Sequence, residues 1–311
     1  MTAVALPVPR RRGRLRAAAI SATVTAALAA LVAYAGLSFY IADRFTRPER
    51  VPVDRPPQVQ AASYEDVRLR TSDGLALSGW FFPHPGDRAA IVVHGRNNNR
   101  VQGERRGERI ADFLLADGFA VLLFDLRGHG GSEGDRFSLG YLERRDVAAA
   151  IDFLTARGYA EPRIALLGVS LGAGTVLQEL AAHPHVGPIV ADSSYEDVDI
   201  LVQEQLHNVT GMPPWLTPGV LLAAGIQLGV PVDQVRPIAF VKAHPERAFL
   251  LIHCDTDEQV AVHHAYDLKA ASANPGTRLW IEHGCNHATG FEHDPDGYAA
   301  RVLAFLHEQL R

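Results

Sequence analysis

The sequence predicts an α/β protein with a mostly parallel central sheet and helices on both faces. Two observations carry this. Short apolar runs of strand length alternate with amphipathic stretches of helical period from Ala89 to Gln309. Strands buried on both faces read as such continuous runs. In addition, His94, Asp125, Ser170, Asp257 and His287 each follow an apolar run closely. That placement suits a sheet whose ligands bind at the carboxyl ends of its strands.

Composition narrows the classes. A net charge of −5 over 311 residues gives no sign of nucleic-acid binding. Two cysteines, Cys254 and Cys285, exclude a disulfide-built scaffold and a cysteine-rich zinc module. Neither a metal nor an organic cofactor is implied.

The chain opens on a basic tail, residues 1–16, with Arg10, Arg11, Arg12, Arg14 and Arg16 bunched together. Residues 17–42 carry no charge. As a helix they would span about 39 Å, against a hydrocarbon core of about 30 Å. The reading is a transmembrane anchor. A cleaved signal peptide is the alternative, because Ala33-Tyr34-Ala35 fits the cleavage pattern after a basic start. The apolar run continues to Ala42, which favours the anchor. The leading arginines place the N-terminus in the cytoplasm and the rest of the chain outside it, although Arg44, Arg47, Arg50 and Arg55 weaken the bias. Residues 43–62, with Pro48, Pro52, Pro56 and Pro57, read as a stiff extended tether. A single α/β domain then fills 63–311.

Within that domain, Val67–Arg70 alternates, Asp73-Gly74 is a turn signal, and 75–82 is apolar: an antiparallel hairpin. Strands follow at 89–93, 119–124, 164–167, 188–191, 248–253 and 277–281. Helices follow at 101–116, 142–157, 173–180, 263–273 and 296–309.

The stretch Gly168-Val169-Ser170-Leu171-Gly172 lies between a buried strand and a helix rich in small residues. This is the setting a G-x-S-x-G nucleophile elbow requires. A serine on a tight, strained turn projects its hydroxyl clear of the sheet, and flanking glycines let neighbouring backbone pass without a Cβ clash. The Leu171 amide then lies at a helix N-terminus, where an oxyanion would form. The second amide of such a hole comes from the loop after the 89–93 strand, through the backbone of Arg96.

A serine hydroxyl needs a base, and the base an orienting carboxylate, in the order serine, acid, histidine. The loop after the 248–253 strand offers Asp255, Asp257 and Glu258. His283, His287 and His293 crowd the next region. His283 closes a strand, whereas His287 lies in the loop beyond it, free to reach Ser170.

At these residues the chain resembles the α/β-hydrolase family, in its esterase/lipase and serine-aminopeptidase-like subset with an N-terminal membrane segment. His94-Gly95, the turn Asp125-Leu126-Arg127-Gly128-His129-Gly130-Gly131-Ser132, the Ser170 elbow, and His253 through Val260 carry the likeness. The resemblance implies an α/β-hydrolase fold, Asp257 as the acid, with Asp255 its rival, and His287 as the base. Arg127, His129 and Ser132 shape the turn. Two positions depart from the family pattern: Cys254 and Asn286 stand where glycines are usual. If their strands are neighbours and the domain is exported, Cys254 and Cys285 could pair, but two buried free thiols are the plainer expectation.

Between Asp192 and Ala248 the alternation pauses. The insertion, about 196–246, reads as a small helical cap that lines an acyl pocket. It holds no basic cluster and no glycine-rich phosphate loop, which argues against a highly charged substrate. The expected function is a membrane-anchored serine hydrolase cleaving a carboxylic ester or thioester of a small acyl substrate through an acyl-enzyme. An amidase or serine peptidase is the enzymatic alternative, and a catalytically idle, anchored binding domain the other.

Overall fold

The computed structural model describes residues 11–60, 63–179 and 182–310. The first ten residues of the basic tail and the Leu180 end of one expected helix lie outside them. The first helix, α1 (Arg11–Thr46), runs through the whole uncharged segment and beyond both of its ends. Residues 13–33 are exposed on every side, a rod about 31 Å long. From Tyr34 onward one stripe, Ser38, Ile41, Ala42 and Thr46, turns into the protein. The long apolar helix thus continues without a break into the body of the fold.

The expected tether is extended but not free. Arg50 Nη1 donates to the carbonyls of Gly130 (2.9 Å) and Ser132 (2.7 Å). Arg55 pairs with Glu108, whose carboxylate also accepts the Gln58 amide. Asn97 and Asn99, given no role on sequence, hold this strap: Asn97 Oδ1 accepts the Glu49 amide and Asn99 donates to the Val51 carbonyl. This proline-rich segment is pinned by side chains that a linear reading could not pair with it.

The sheet begins with an antiparallel hairpin, β1 (Glu65–Arg70) and β2 (Ala76–Phe82). There follow β3 (Arg88–Val93), α2 (Arg106–Ala116), β4 (Phe119–Phe124), α3 (Glu143–Thr155), β5 (Ile164–Val169), α4 (Leu171–Gln178) and β6 (Ile189–Asp192). Helix α2 starts five residues later than the periodicity suggests. Gln102, Gly103 and Arg105 take positive φ there, so the chain turns before it winds. Helix α4 starts two residues earlier than expected, directly after Ser170. The insertion contributes α5 (Val198–Thr210), α6 (Thr217–Leu228) and α7 (Pro237–Ala243). The chain closes with β7 (Phe249–Cys254), α8 (His263–Ala271), β8 (Arg278–Glu282), α9 (Gly290–His293) and α10 (Pro295–Gln309).

Among the described residues the eight strands form one sheet in the order β1-β2-β4-β3-β5-β6-β7-β8, parallel from β4 onward. Strand period two divides its core between two faces. Ile91, Leu122 and Leu166 pack with Ile151 of α3 and Val176 of α4, on the side where α1 and the insertion sit. Val92, Leu123 and Leu167 pack with Leu114 of α2 and Phe305 of α10. Helix α6 crosses the packed third of α1 closely. A Cβ on Gly219 would come within 2.5 Å of Ser38 Oγ and Tyr34 Oη, and Tyr34 donates to the Trp215 carbonyl and stacks on its ring.

Candidate active site

Ser170 lies between β5 and α4 at φ 53°, ψ −115°, the left-handed φ region that costs a side-chain-bearing residue free energy. The surroundings enforce the turn. The Ser170 amide donates to the Asp192 carbonyl at 2.8 Å. A Cβ on Gly168 would lie 2.4 Å from the Gly172 carbonyl oxygen, and one on Gly172 would lie 2.3 Å from that of Val93. Both glycines of the motif are therefore required by backbone contact. Helix α4 starts at Leu171, so the Leu171 amide is in its first turn.

Two remote side chains line up behind the hydroxyl. His287 Nε2 is 2.8 Å from Ser170 Oγ, and His287 Nδ1 is 2.7 Å from Asp257 Oδ2. Asp257 Oδ1 accepts the amides of Gln259 (2.9 Å) and Val260 (2.8 Å). Burial raises the pKa of Asp257, but hydrogen bonds from His253 and His287 outweigh it and hold the carboxyl well below its usual range. The rival Asp255 is engaged elsewhere, with His283 Nδ1 at 2.9 Å and the Gly284 amide at 2.8 Å.

The two departures from the family pattern meet at this site. Cys254, at the end of β7, and Cys285, two residues before His287, form a disulfide. This corrects the expectation of free thiols. Strands β7 and β8 are neighbours in parallel register, so the loops after them lie side by side. Asn286 Oδ1 accepts the amides of His287 (2.6 Å) and Glu258 (3.1 Å). Both residues tie the Asp257 loop to the His287 loop, where glycines would leave them unlinked.

His94 is structural: it is buried, with Nε2 accepting the Leu126 amide at 2.9 Å, and burial lowers its pKa to about 4. The Asp125 turn is a scaffold too. The Asp125 carboxylate accepts the amides of Arg100 and Gly131, and Arg127 lies between Asp146 and Asp73. Gly95 packs on the nucleophile, since a Cβ there would lie 3.2 Å from Ser170 Cβ.

The convergence opens on a cavity of about 870 Å³. Gly95, Arg96, Ser170, Leu171 and His287 line it, together with Leu201, Leu206 and Met212 of the insertion and Tyr40, Ile41, Arg44 and Phe45 of α1. Sequence reasoning missed the α1 contribution, because nothing local in an apolar helix marks its last turns as cavity lining. It also missed His253, whose Nε2 lies 3.3 Å from Asp257 Oδ2; the only signal was its place at the head of a motif. Away from this cavity, Glu196, His263 and His264 bring metal-ligating atoms within 4.8 Å of one another, and Glu204 meets both imidazoles at 2.7 and 3.2 Å. None of these four lines the Ser170 cavity.

Fold and site together define an α/β hydrolase with a serine-hydrolase-like site. The family model of X-Pro dipeptidyl-peptidase (S15 family) matches residues 60–267, and the chain belongs to that family. The uncharacterized protein Rv2307c of Mycobacterium tuberculosis is 36% identical over 156 residues, 49% of this chain and 54% of that protein. The chain thus spans about half the length of that relative. The uncharacterized protein YfhR of Escherichia coli is 26% identical over 252 residues, covering 78% of this chain and 81% of the other. Among solved structures, an esterase of Pyrococcus furiosus superposes with a TM-score of 0.71 at 25% identity, over 86% of this chain and 98% of that one.

Proposed function

We propose that the protein is a membrane-anchored serine hydrolase that cleaves carboxylic esters or thioesters. The observation that carries this is the unbroken relay Asp257–His287–Ser170, with both links under 3 Å, opening on a largely apolar cavity. Ser170 Oγ attacks the acyl carbon while His287 Nε2 takes its proton. The Leu171 and Arg96 amides hold the oxyanion, and Asp257 stabilises the imidazolium. His287 then gives the proton to the leaving oxygen or sulfur. Water, deprotonated by the same histidine, releases the acid and restores the serine.

The family name raises peptide cleavage as a second reading. A peptide with an N-terminal X-Pro pair presents a free α-ammonium on the residue before the proline whose carbonyl is attacked, and a buried ammonium needs a carboxylate. No Asp or Glu is among the described residues that line the cavity, which favours the ester. For location, the exposed uncharged part of α1, residues 17–33, is about 26 Å long and comes close to the hydrocarbon thickness. Tyr34, Tyr40 and Trp215 lie where an aromatic belt would meet the membrane surface. The Cys254–Cys285 disulfide supports an oxidising, extracytoplasmic compartment for the hydrolase body.

The test is fluorophosphonate labelling and p-nitrophenyl ester turnover by the full chain in neutral detergent. Wild type labels and turns over; Ser170→Ala does neither. Equal turnover by Ser170→Ala refutes the assignment, and a folded wild type that never labels supports an idle binding domain.

A further inference from the structure

Arg96, Arg44 and Arg106 are the cationic residues that line the catalytic cavity. They differ in what they face. Arg106 is committed to a two-pronged pair with Glu292 at 2.9 and 2.7 Å. Arg96 is not committed. Its guanidinium lies over the rings of Phe45 at 4.5 Å and Phe137 at 5.4 Å. Its Nε is buried without a hydrogen-bond partner, and it makes no ion pair among the described residues. Burial lowers its pKa, yet an arginine does not give up its proton in a protein. Arg44, one turn after Tyr40 on α1, is exposed and also without an ion pair among the described residues.

An arginine this enclosed is normally matched, as Arg127 is by Asp146 and Asp73. Desolvating a cation without a partner costs free energy that something must offset. Two aromatic faces, those of Phe45 and Phe137, offset part of it. With no carboxylate in the described lining, the missing anion comes from outside. Leu139, Leu201 and Leu206 add an apolar lining to the same cavity. The cavity thus offers cations to an anion and apolar side chains to a hydrocarbon chain.

We propose that the substrate is an acyl ester or thioester bearing an anionic group, a phosphate or carboxylate, which Arg96 and Arg44 bind while the acyl chain lies against Leu139, Leu201 and Leu206. The proposal rests on Ser170 as nucleophile and adds the substrate's charge. The insertion has no basic cluster, and sequence alone argued against a charged substrate; the cations come instead from α1 and the loop after β3. The arginine side chains act on binding, separately from the Arg96 amide at the oxyanion.

Binding and turnover test it separately. In full-chain Ser170→Ala, titration calorimetry compares octyl phosphate with octanol. Octyl phosphate binds at least about tenfold tighter, as expected for one charge-assisted contact. Arg96→Met removes that preference, Arg96→Lys keeps part of it, and Arg44→Met loses less than Arg96→Met. Equal binding of the two ligands, or a preference that survives Arg96→Met, overturns the proposal whatever the turnover. In the wild type, octanoyl-glycerol phosphate is hydrolysed with kcat/KM at least about tenfold above octanoyl-glycerol, mainly through KM; a ratio near one also overturns it. A normal binding preference with no hydrolysis of either ester overturns the serine reading on which it rests. Dilauroyl phosphatidate presented in vesicles, against the soluble phosphate ester, separates a membrane source from a soluble one: faster turnover of either supports the anionic site and names its supply.

Discussion

The two walls of the cavity are built in opposite ways. The wall of strand-end loops is saturated: Asp257 is met by His287, His253 and two amides, and the loops that carry acid and base are cross-linked by Cys254–Cys285. The wall made by α1 and the insertion is open. Arg44 has no counter-ion among the described residues, nor has Arg96, which reaches from the loop after β3 to stack on Phe45 of α1, and on the outer surface of the insertion Trp215, Leu222 and Ile226 expose more than three-fifths of their surface. Groups that must hold one geometry through a reaction are over-determined by their neighbours. Groups that must receive something from outside are left unsatisfied until it arrives. Chemistry and recognition are thus separated in space, and each wall can be perturbed alone.

The largest effect lies in the saturated wall. Asp257→Asn leaves the loop in place but removes the charge that orients His287, and kcat for a p-nitrophenyl ester falls on the order of 10⁴-fold. Asp255→Asn, which faces His283 at the rim, leaves kcat close to wild type. Equal losses from both would dissolve the distinction between the two carboxylates. The disulfide comes next. Opening a link across a sequence separation of 31 costs about 3–4 kcal/mol on a chain-entropy basis. Cys254→Ala in full-length protein therefore unfolds at lower urea than oxidised wild type. Wild type in reducing buffer moves the same way, while wild-type stability that ignores reductant refutes the link.

The same division decided what the sequence could disclose. Strands β3, β4, β6 and β7 were placed to within a residue, because a strand covered on both faces must be apolar throughout and no other demand competes; β5 runs two residues further than expected, through Gly168 and Val169. Ser170, His287 and Asp257 were found because each lies just after such a strand, and the motif around Ser170 is forced by backbone packing at Gly168 and Gly172. The other wall was hidden. Nothing within residues 40–45 says that they will meet a cavity lined by residues near 96 and 201. The side chain of Arg96 could not be known to lack a carboxylate until every neighbour was placed. The thiols were misjudged for a related reason: pairing depends on β7 and β8 being adjacent, a property of topology and not of either segment.

A third expectation concerns protons inside the saturated wall. Burial holds His94 and His129 neutral, each with its pKa lowered to about 4 from an ordinary 6.5. A folded pKa below the unfolded one means that the unfolded chain takes up protons first as pH falls. The contribution of this pair to stability is therefore complete above about pH 6.5 and is lost as pH falls toward 4. Histidine-labelled NMR shows the two ring resonances unmoved between pH 8 and 5.5. Movement near pH 6.5 would mean that these rings are solvated and the scaffold looser than drawn.

The smallest effect sharpens the comparison most, because it touches the open wall without entering the cavity. Gly219 lets α6 approach α1, and it does not line the site. Gly219→Val drives a side chain against Ser38 and Tyr34, an overpacking that costs about 1–3 kcal/mol. The displacement is relayed along α1 to Tyr40, Ile41 and Phe45, so KM for a long-chain ester rises several-fold. The rate of fluorophosphonate labelling, which reads Ser170 and His287, stays at its wild-type value. If labelling slows in step with KM, the two walls are mechanically one body, and the separation of chemistry from recognition fails.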